Sequence, residues 1–264
     1  SATKISRILD TVPGARESAE RGELACGTVD SWLIYRLTGN HLTDVTNASR
    51  TMLYDIINRR WDKELCRITG VPECMLPEVV DSAHDFGSVR RDGDIPSSLW
   101  GVHVLSALGD QQASLFGLRC FSEGDVKNTY GTGCFTLMNT GALPKKDRDL
   151  ITTPAWSIGG RMMYALEGSV FNAGSAIQWL RDSLGIISRA SDITEAAERS
   201  AKLDNDNVMF VSAFTGLGAP YWDMYARAGF VGITRATSKD RICRAVLEGI
   251  AFQVYDLVRA METS

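Results

Sequence analysis

The amino-acid sequence predicts an α/β protein, and three stretches carry that prediction. Val102–Leu108 is an apolar run that reads as a buried strand; it stops at Gly109-Asp110-Gln111-Gln112 and passes into a helical run from Ala113 to Leu118. Val126–Thr129 and Cys134–Thr140 alternate like two strands joined by Tyr130-Gly131-Thr132-Gly133. Lys239–Met261 places Ile242, Val246, Ile250, Val254, Leu257 and Val258 at helical spacing. A strand–turn–helix passage puts its turn at the carboxyl end of the strand, where open α/β sheets bind ligands.

Composition narrows the class. With 264 residues and 44% hydrophobic content the chain can bury a core for one large or two modest domains. The 28 Lys and Arg against 32 Asp and Glu leave a net charge of −4, which argues against a general nucleic-acid binder. No uncharged apolar run is long enough for a membrane span. The six cysteines form no C-x-x-C pair and the three histidines lie far apart, so no zinc cluster or other metal site is expected. Free thiols beside apolar neighbours point to a reducing compartment, the cytoplasm. The first residues lack the apolar block of a signal peptide and an initiator Met, so the chain is expected to begin within a longer protein.

Taken in order, Ile5–Glu23 reads as two short helices broken at Pro13-Gly14, and Thr28–Leu37 as a helix capped by Thr28 and stopped by Gly39. Trp32, Leu33, Tyr35 and Leu37 are expected to supply its apolar side. Thr43–Tyr54 reads as a loop leading into a short element, and Trp61–Ile68 as a helix ended by Gly70 and Pro72. Phe86–Pro96 is turn-rich. Beyond the hairpin, Met162–Leu166 is a strand, Gly174–Leu184 a helix, Ile193–Leu203 an amphipathic helix and Val208–Val211 a strand. A domain boundary is expected near Gly117–Gly124.

Three places carry candidate chemistry. Asp110, at the end of an apolar strand, is a base, a hydroxyl ligand or the cap of the following helix. Gln111 and Gln112 beside it give three consecutive side chains able to bond a polyol, more than a cap needs. Gly131-Thr132-Gly133 lets the backbone approach an anion, or is an ordinary hairpin turn. Gly168–Gly174 (GSVFNAG) leads small residues into a helix N-terminus that faces a nucleotide, or is small only for close packing. No P-loop, G-x-G-x-x-G or G-x-S-x-G is present. The block 214–223 is unusual in composition, but periodicity gives it no role.

The same segments resemble the FGGY carbohydrate kinases over almost the whole chain. The resemblance is carried by Gly27–Gly39 (GTVDSWLIYRLTG), Thr46–Leu53 (TNASRTML), Gly109–Gln112 (GDQQ) and Lys127–Phe135 (KNTYGTGCF). It continues through Tyr164–Val170 (YALEGSV), Ile177–Asp182 (IQWLRD) and Ala213–Asp223 (AFTGLGAPYWD). Asn47–Arg50 and Gly218–Trp222 look like the glycerol branch; pentulose-specific members usually carry Gly where Arg50 stands.

The resemblance implies two domains of the ribonuclease-H-like, actin/hexokinase/Hsp70 type, each incomplete in this chain. Residues 1–118 would be the C-terminal half of the polyol-side domain, and 119–264 the N-terminal half of the ATP-side domain. Both substrates would lie in the cleft between them. It implies Mg²⁺-ATP-dependent phosphorylation of glycerol to sn-glycerol 3-phosphate, in a full-length protein that is a homo-oligomer. It makes Asp110 the general base, has Asp110 and Gln111 hold the glycerol hydroxyls, and sets Phe135 against the glycerol carbons. Gly131 and Thr132 would line the ATP phosphates, with Gly174 and Gln178 on the nucleotide further along. Phosphoryl transfer depends mainly on positioning and charge neutralisation, which suits these residue types.

The family's Asp-x-Gly-Thr-Thr phosphate loop, its Arg-Glu pair and Trp around glycerol, and its adenosine-binding Gly-Gly-x-x-x-Asn segment have no counterpart in the sequence. The chain is therefore expected to be the middle of a kinase, inactive on its own. Two rival readings are an inactive binding or interaction module and a relative acting on another polyol or sugar. Arg90 and Arg91 do not match the effector loop of some members, and His103 lies in the predicted strand, so no allosteric or phosphorylation control is carried over.

Overall fold

The structure, a computed structural model, describes residues 1–201 and 208–264. It divides into two compact units, one of residues 1–122, 139–144 and 153–165, the other of 123–138, 145–152 and 166–264. Among the described residues no helix is long and apolar enough to cross a membrane.

The first unit begins with α1 (Ala2–Thr11) and α2 (Ala15–Glu20), separated at Gly14, whose φ of +76° turns the chain where Pro13 ends the first helix. Then come α3 (Val29–Thr38), β1 (Leu42–Asp44), α4 (Val45–Ala48), the β2–β3 hairpin (Tyr54–Asp55, Arg60–Trp61), α5 (Lys63–Thr69), β4 (Glu78–Val80) and α6 (Asp110–Gly117). β1 pairs parallel with β4, Thr43 opposite Val79. Gly39, at φ +87°, closes α3 with its N–H on the Tyr35 carbonyl, as the sequence predicts. Three buried clusters pack this unit: Ala2, Leu53, Cys66 and Val71; Leu9, Ala15, Ala19 and Met75; and Val45, Ala48, Tyr54, Met162 and Tyr164.

Three expectations fail here. Trp32, Leu33 and Tyr35 are exposed, and α3 buries Ser31 and Ile34 instead. Positions 32, 33, 35 and 37 are spread around the helix, whereas 31 and 34, three apart, share one face. Thr28 occupies the N-cap position but makes no capping bond; its hydroxyl donates to the Asp30 carboxylate. The run 102–108 is extended, but it is neither a regular strand nor uniformly buried: Val102 and Leu105 are exposed. It meets 82–89 through isolated bridges, Ser88 with His103 and Ala83 with Ser106. Phe86 and Gly87 both bond Val104, the Phe86 N–H to its carbonyl and the Gly87 carbonyl to its N–H, so the pairing bulges at Gly87, where φ is +111°.

Four strands, β5 (Val126–Tyr130), β6 (Cys134–Gly141), β7 (Ile151–Ile158) and β8 (Arg161–Val170), form a sheet in the order β5-β6-β8-β7. β5 and β6 are antiparallel with Tyr130 opposite Cys134, so the Gly131–Gly133 turn closes a true hairpin. β7 has no counterpart in the sequence reading, because Ile151–Ile158 (ITTPAWSI) carries a Pro and no clean alternation. The second unit continues with α7 (Gly174–Asp182), α8 (Asp192–Ala201), the antiparallel pair β9 (Met209–Val211) and β10 (Gly229–Val231), and α9 (Lys239–Thr263). Lys202 and Leu203 of the predicted 193–203 helix lie outside the described residues.

The core of this unit packs Leu166, Val170, Ala176, Leu180 and Phe210 against Val246, Ile250 and Leu257 of the predicted apolar stripe on α9, together with Met261. The 214–223 block proves structural. A Cβ on Gly218 would lie 2.0 Å from the Ser169 carbonyl oxygen, Tyr221 donates to Asp256, and the Trp222 indole donates to the Asp149 carbonyl at 2.7 Å.

Gly249, in the middle of α9, tests this packing with a reversed sign. Gly→Ala inside a helix normally stabilises, by about 0.5–1 kcal/mol. Here the new Cβ would meet the Phe210 carbonyl oxygen at 2.2 Å. Gly249→Ala is therefore expected to destabilise by about 1–3 kcal/mol, the usual cost of overpacking. Gly117→Ala, with nothing within 4 Å of its Cβ, should be neutral or stabilising. Urea denaturation of both variants decides it, and a stabilised Gly249→Ala contradicts the packing described.

Candidate active site

α6 sets the position of Asp110. Gly109 is its N-cap, extended at ψ 148° and without a side-chain cap, and Asp110 is the first helical residue. Asp110 is thus not the cap that a purely structural reading of the sequence would make it. Its carboxylate accepts from the Gln111 backbone N–H at 2.9 Å and the Gln111 carboxamide at 3.1 Å, and it is exposed. An exposed carboxylate beside a carboxamide can accept a proton and a hydrogen bond from an alcohol.

Gln112 does not join them. It is buried, and its carboxamide turns inward to the Thr153 hydroxyl at 3.4 Å. Of the three consecutive side chains expected to bond a polyol, Gln112 is withdrawn into the protein, and Asp110 and Gln111 remain. α6 is held from below by Phe116, whose ring meets Phe121 and Trp156 edge-on at 5.0 and 5.3 Å.

In the second unit the structure brings Gly131, Thr132 and Gly174 together. The Thr132 carbonyl accepts from Ala173 and Ser175, and the Gly131 carbonyl from Gly174 at 3.0 Å, so the hairpin turn docks onto the first turn of α7. Backbones come this close only without side chains. A Cβ on Gly174 would lie 2.5 Å from the Gly131 oxygen, and one on Gly133 2.4 Å from the Val170 oxygen. The first N–H groups of α7, those of Gly174 and Ser175, are thereby bonded to the carbonyls of the turn. What the turn offers an anion is Thr132, exposed and donating no hydrogen bond among the described residues. Gln178 is exposed on α7 one turn beyond Gly174, and Phe135 is partly exposed on β6.

Sequence reasoning missed Lys127. It is buried on β5, and its ammonium donates to the Thr129 hydroxyl at 2.9 Å and the Phe135 carbonyl at 3.3 Å, tying together the two strands that carry the turn. A lysine inside an otherwise strand-like segment was the available signal. It missed Asp44 and Thr46 as well, although the Asp-x-Thr-Asn order before a short helix is a capping pattern. Cys134 follows the turn directly, and burial pushes its thiol up to about 11.

Two family models match the chain in succession. The family model described as "FGGY family of carbohydrate kinases, N-terminal domain" matches residues 1–117, and the corresponding C-terminal-domain model matches residues 126–264. The chain belongs to the FGGY family of carbohydrate kinases, whose domains have the actin/hexokinase-like fold. It is 52% identical to glycerol kinase 2 of Thermotoga maritima and 53% identical to the glycerol kinase of Fusobacterium nucleatum, over 99% of its own length and 52% of theirs. It spans about half the length of the curated relatives it matches. Plasmodium falciparum glycerol kinase, solved with ADP, superposes with a TM-score of 0.91 at 37% identity, over all of this chain and 52% of that one. A xylulose kinase from Brucella ovis gives a TM-score of 0.82 at 22% identity over 100% of this chain and 53% of that one, a likeness of fold alone.

The thiol beside the turn gives a direct check. At pH 8 a thiol titrating near 11 is thiolate about one time in a thousand (10^(8−11)), and only the thiolate alkylates. Brief iodoacetamide treatment of the native protein is expected to label exposed Cys74 and to spare Cys134. Preferential labelling of Cys134 contradicts the burial described.

Proposed function

We propose that this chain carries the acceptor and phosphate-binding groups of an ATP-dependent glycerol kinase, with 1–118 on the polyol side and 119–264 on the ATP side. The observation that carries the proposal is the exposed Asp110 carboxylate, fixed at the first turn of α6 beside Gln111. The half-length identity to glycerol kinases supports glycerol as the acceptor. The ADP in the Plasmodium structure supports ATP as the donor.

Asp110 and Gln111 hold the glycerol hydroxyls and Phe135 lies against its carbons. Gly131 and Thr132 receive the ATP phosphates, with Gly174 and Gln178 further along the nucleotide. The primary hydroxyl oxygen forms a bond to the γ-phosphorus as the bond to the β,γ-bridging oxygen breaks. The hydroxyl proton passes to Asp110, and ADP and sn-glycerol 3-phosphate result. Mg²⁺ enters on the nucleotide as part of the substrate. Among the described residues no three or more His, Cys, Asp or Glu are grouped so that they could hold a metal ion. Six free cysteines, four of them buried, support a cytoplasmic setting.

The test is ADP release coupled to glycerol in the full-length gene product that contains this chain. Glycerol-dependent turnover is expected. Asp110→Asn is expected to lower kcat by about 10²–10⁴, the range of a lost general base, while glycerol binding is weakened but measurable. A kcat that barely moves removes Asp110 from the role of base.

A further inference from the structure

We infer that Thr46, held by the buried carboxylate of Asp44, is a positioning residue for Asp110. The inference rests on the reading of Asp110 as general base and adds the means by which it is aimed.

The Asp110 side chain bonds only to its own neighbour Gln111 among the described residues, so its direction is set by the backbone at Gly109–Asp110. That backbone is clamped. The Gly109 N–H donates to the Thr46 hydroxyl at 2.8 Å, across 63 residues of sequence. The Thr46 hydroxyl in turn donates to the Asp44 carboxylate, its oxygen 2.8–2.9 Å from both carboxylate oxygens. Asp44 and Thr46 are both 0% exposed. A carboxylate in that position requires donors, and five reach it: the Thr46 hydroxyl and N–H, the Asn47 N–H and carboxamide, and the Ser82 hydroxyl at 2.7 Å. The Thr46 proton is thereby committed to Asp44, leaving its lone pair for Gly109.

A second arm closes on the same turn. A Cβ on Gly109 would lie 2.6 Å from the Gln112 carboxamide oxygen and 3.7 Å from the Thr46 hydroxyl, so the turn is bounded on both sides. Gln112 reaches Thr153, Thr153 lies 3.5 Å from the Ser49 hydroxyl, and Ser49 donates back to the Thr46 carbonyl at 2.7 Å. Thr46, Gly109, Gln112, Thr153 and Ser49 thus make a closed circuit around the start of α6. In a capping box, Gln at the third helical position would reach back to the N-cap N–H. Here Thr46 takes that N–H and Gln112 is turned inward, which ties the helix start to β1–α4 rather than to itself. The Thr46–Leu53 segment, conspicuous in the sequence and given no part in the chemistry so far, gains one.

The test measures glycerol phosphorylation in the full-length gene product for Thr46→Val, Thr46→Ser, Ser82→Ala and Asp110→Asn, with thermal unfolding of each. Thr46→Val keeps the shape and loses the hydroxyl. It is expected to lower kcat by about 10–100-fold, the cost of an ångström-scale misplacement, with the KM for ATP unchanged. Thr46→Ser is expected to restore kcat. Ser82→Ala removes a different donor from the same carboxylate; it should lower Tm and leave kcat within about two-fold.

A wild-type kcat in Thr46→Val beside a collapsed Asp110→Asn overturns the inference and leaves the base standing. Equal losses in Ser82→Ala and Thr46→Val, or failure of Thr46→Ser to rescue, also overturn it by showing a role in stability or packing alone. A wild-type kcat in Asp110→Asn overturns the reading of the base itself, and the inference with it. If Thr46→Val does not fold, Gln112→Met opens the circuit while leaving Asp44 and its donors intact. It is then expected to lower kcat about 10-fold with the KM for ATP unchanged, and an unchanged kcat overturns the inference.

Discussion

The carboxylate of Asp44 has no access to water, and much of the first unit follows from that. An ionised group removed from solvent costs several kcal/mol unless protein donors replace the water it loses. Two of its five donors are the first N–H groups of α4, so the charge also caps a helix of only four residues that has little stability of its own. A third is Ser82, whose oxygen also accepts from the Ser157 N–H at 3.1 Å and so ties the segment after β4 to β7. The Thr46 hydroxyl extends the same demand to Gly109. One buried charge therefore fixes the mutual positions of β1, α4, the 82 region and the start of α6, and Asp110 stands at the end of that chain of bonds.

The second unit solves its local problem by other means. Backbone–backbone bonds and missing side chains organise the Gly131–Gly133 turn. Thr132 and Gly131 carbonyls satisfy the α7 N-terminus, and the glycines at 133 and 174 let the chains meet at distances that any Cβ would prevent. Lys127 and Phe135 brace the strands beneath. The outcome is a stiff turn with one exposed hydroxyl-bearing residue at its tip. That suits a segment proposed to receive phosphate, because little conformational freedom remains to be lost on binding.

Local rules of the sequence were read correctly where local chemistry decides. Gly14 parts α1 from α2 and Gly39 ends α3 because both supply positive φ, the stripe on α9 is periodic enough to identify its buried face, and the hairpin at 126–140 is marked by two strand-like runs around a Gly-rich turn. They failed where partners are distant. The run 102–108 is apolar but faces a segment that bulges at Gly87, and α3 buries the face marked by Ser31 and Ile34 rather than its larger aromatics. β7 lacked alternation. Gln112 looked like a ligand group until Thr153, 41 residues away, claimed it. The bond from Gly109 to Thr46 spans a similar gulf, and no window-based pattern contains both ends. For the candidate site, residue chemistry alone reached an α/β protein with a carboxylate and a glycine-bracketed turn; the family resemblance supplied glycerol and ATP.

The account stands on Thr46 acting through Asp110 rather than beside it, and a double-mutant cycle on kcat measures that dependence. If Thr46 only aims the base, its loss has nothing left to misplace once the base is gone, so Thr46→Val combined with Asp110→Asn should be no slower than Asp110→Asn alone, to within about two-fold. Losses that multiply in the double variant would show two independent contributions and contradict the account.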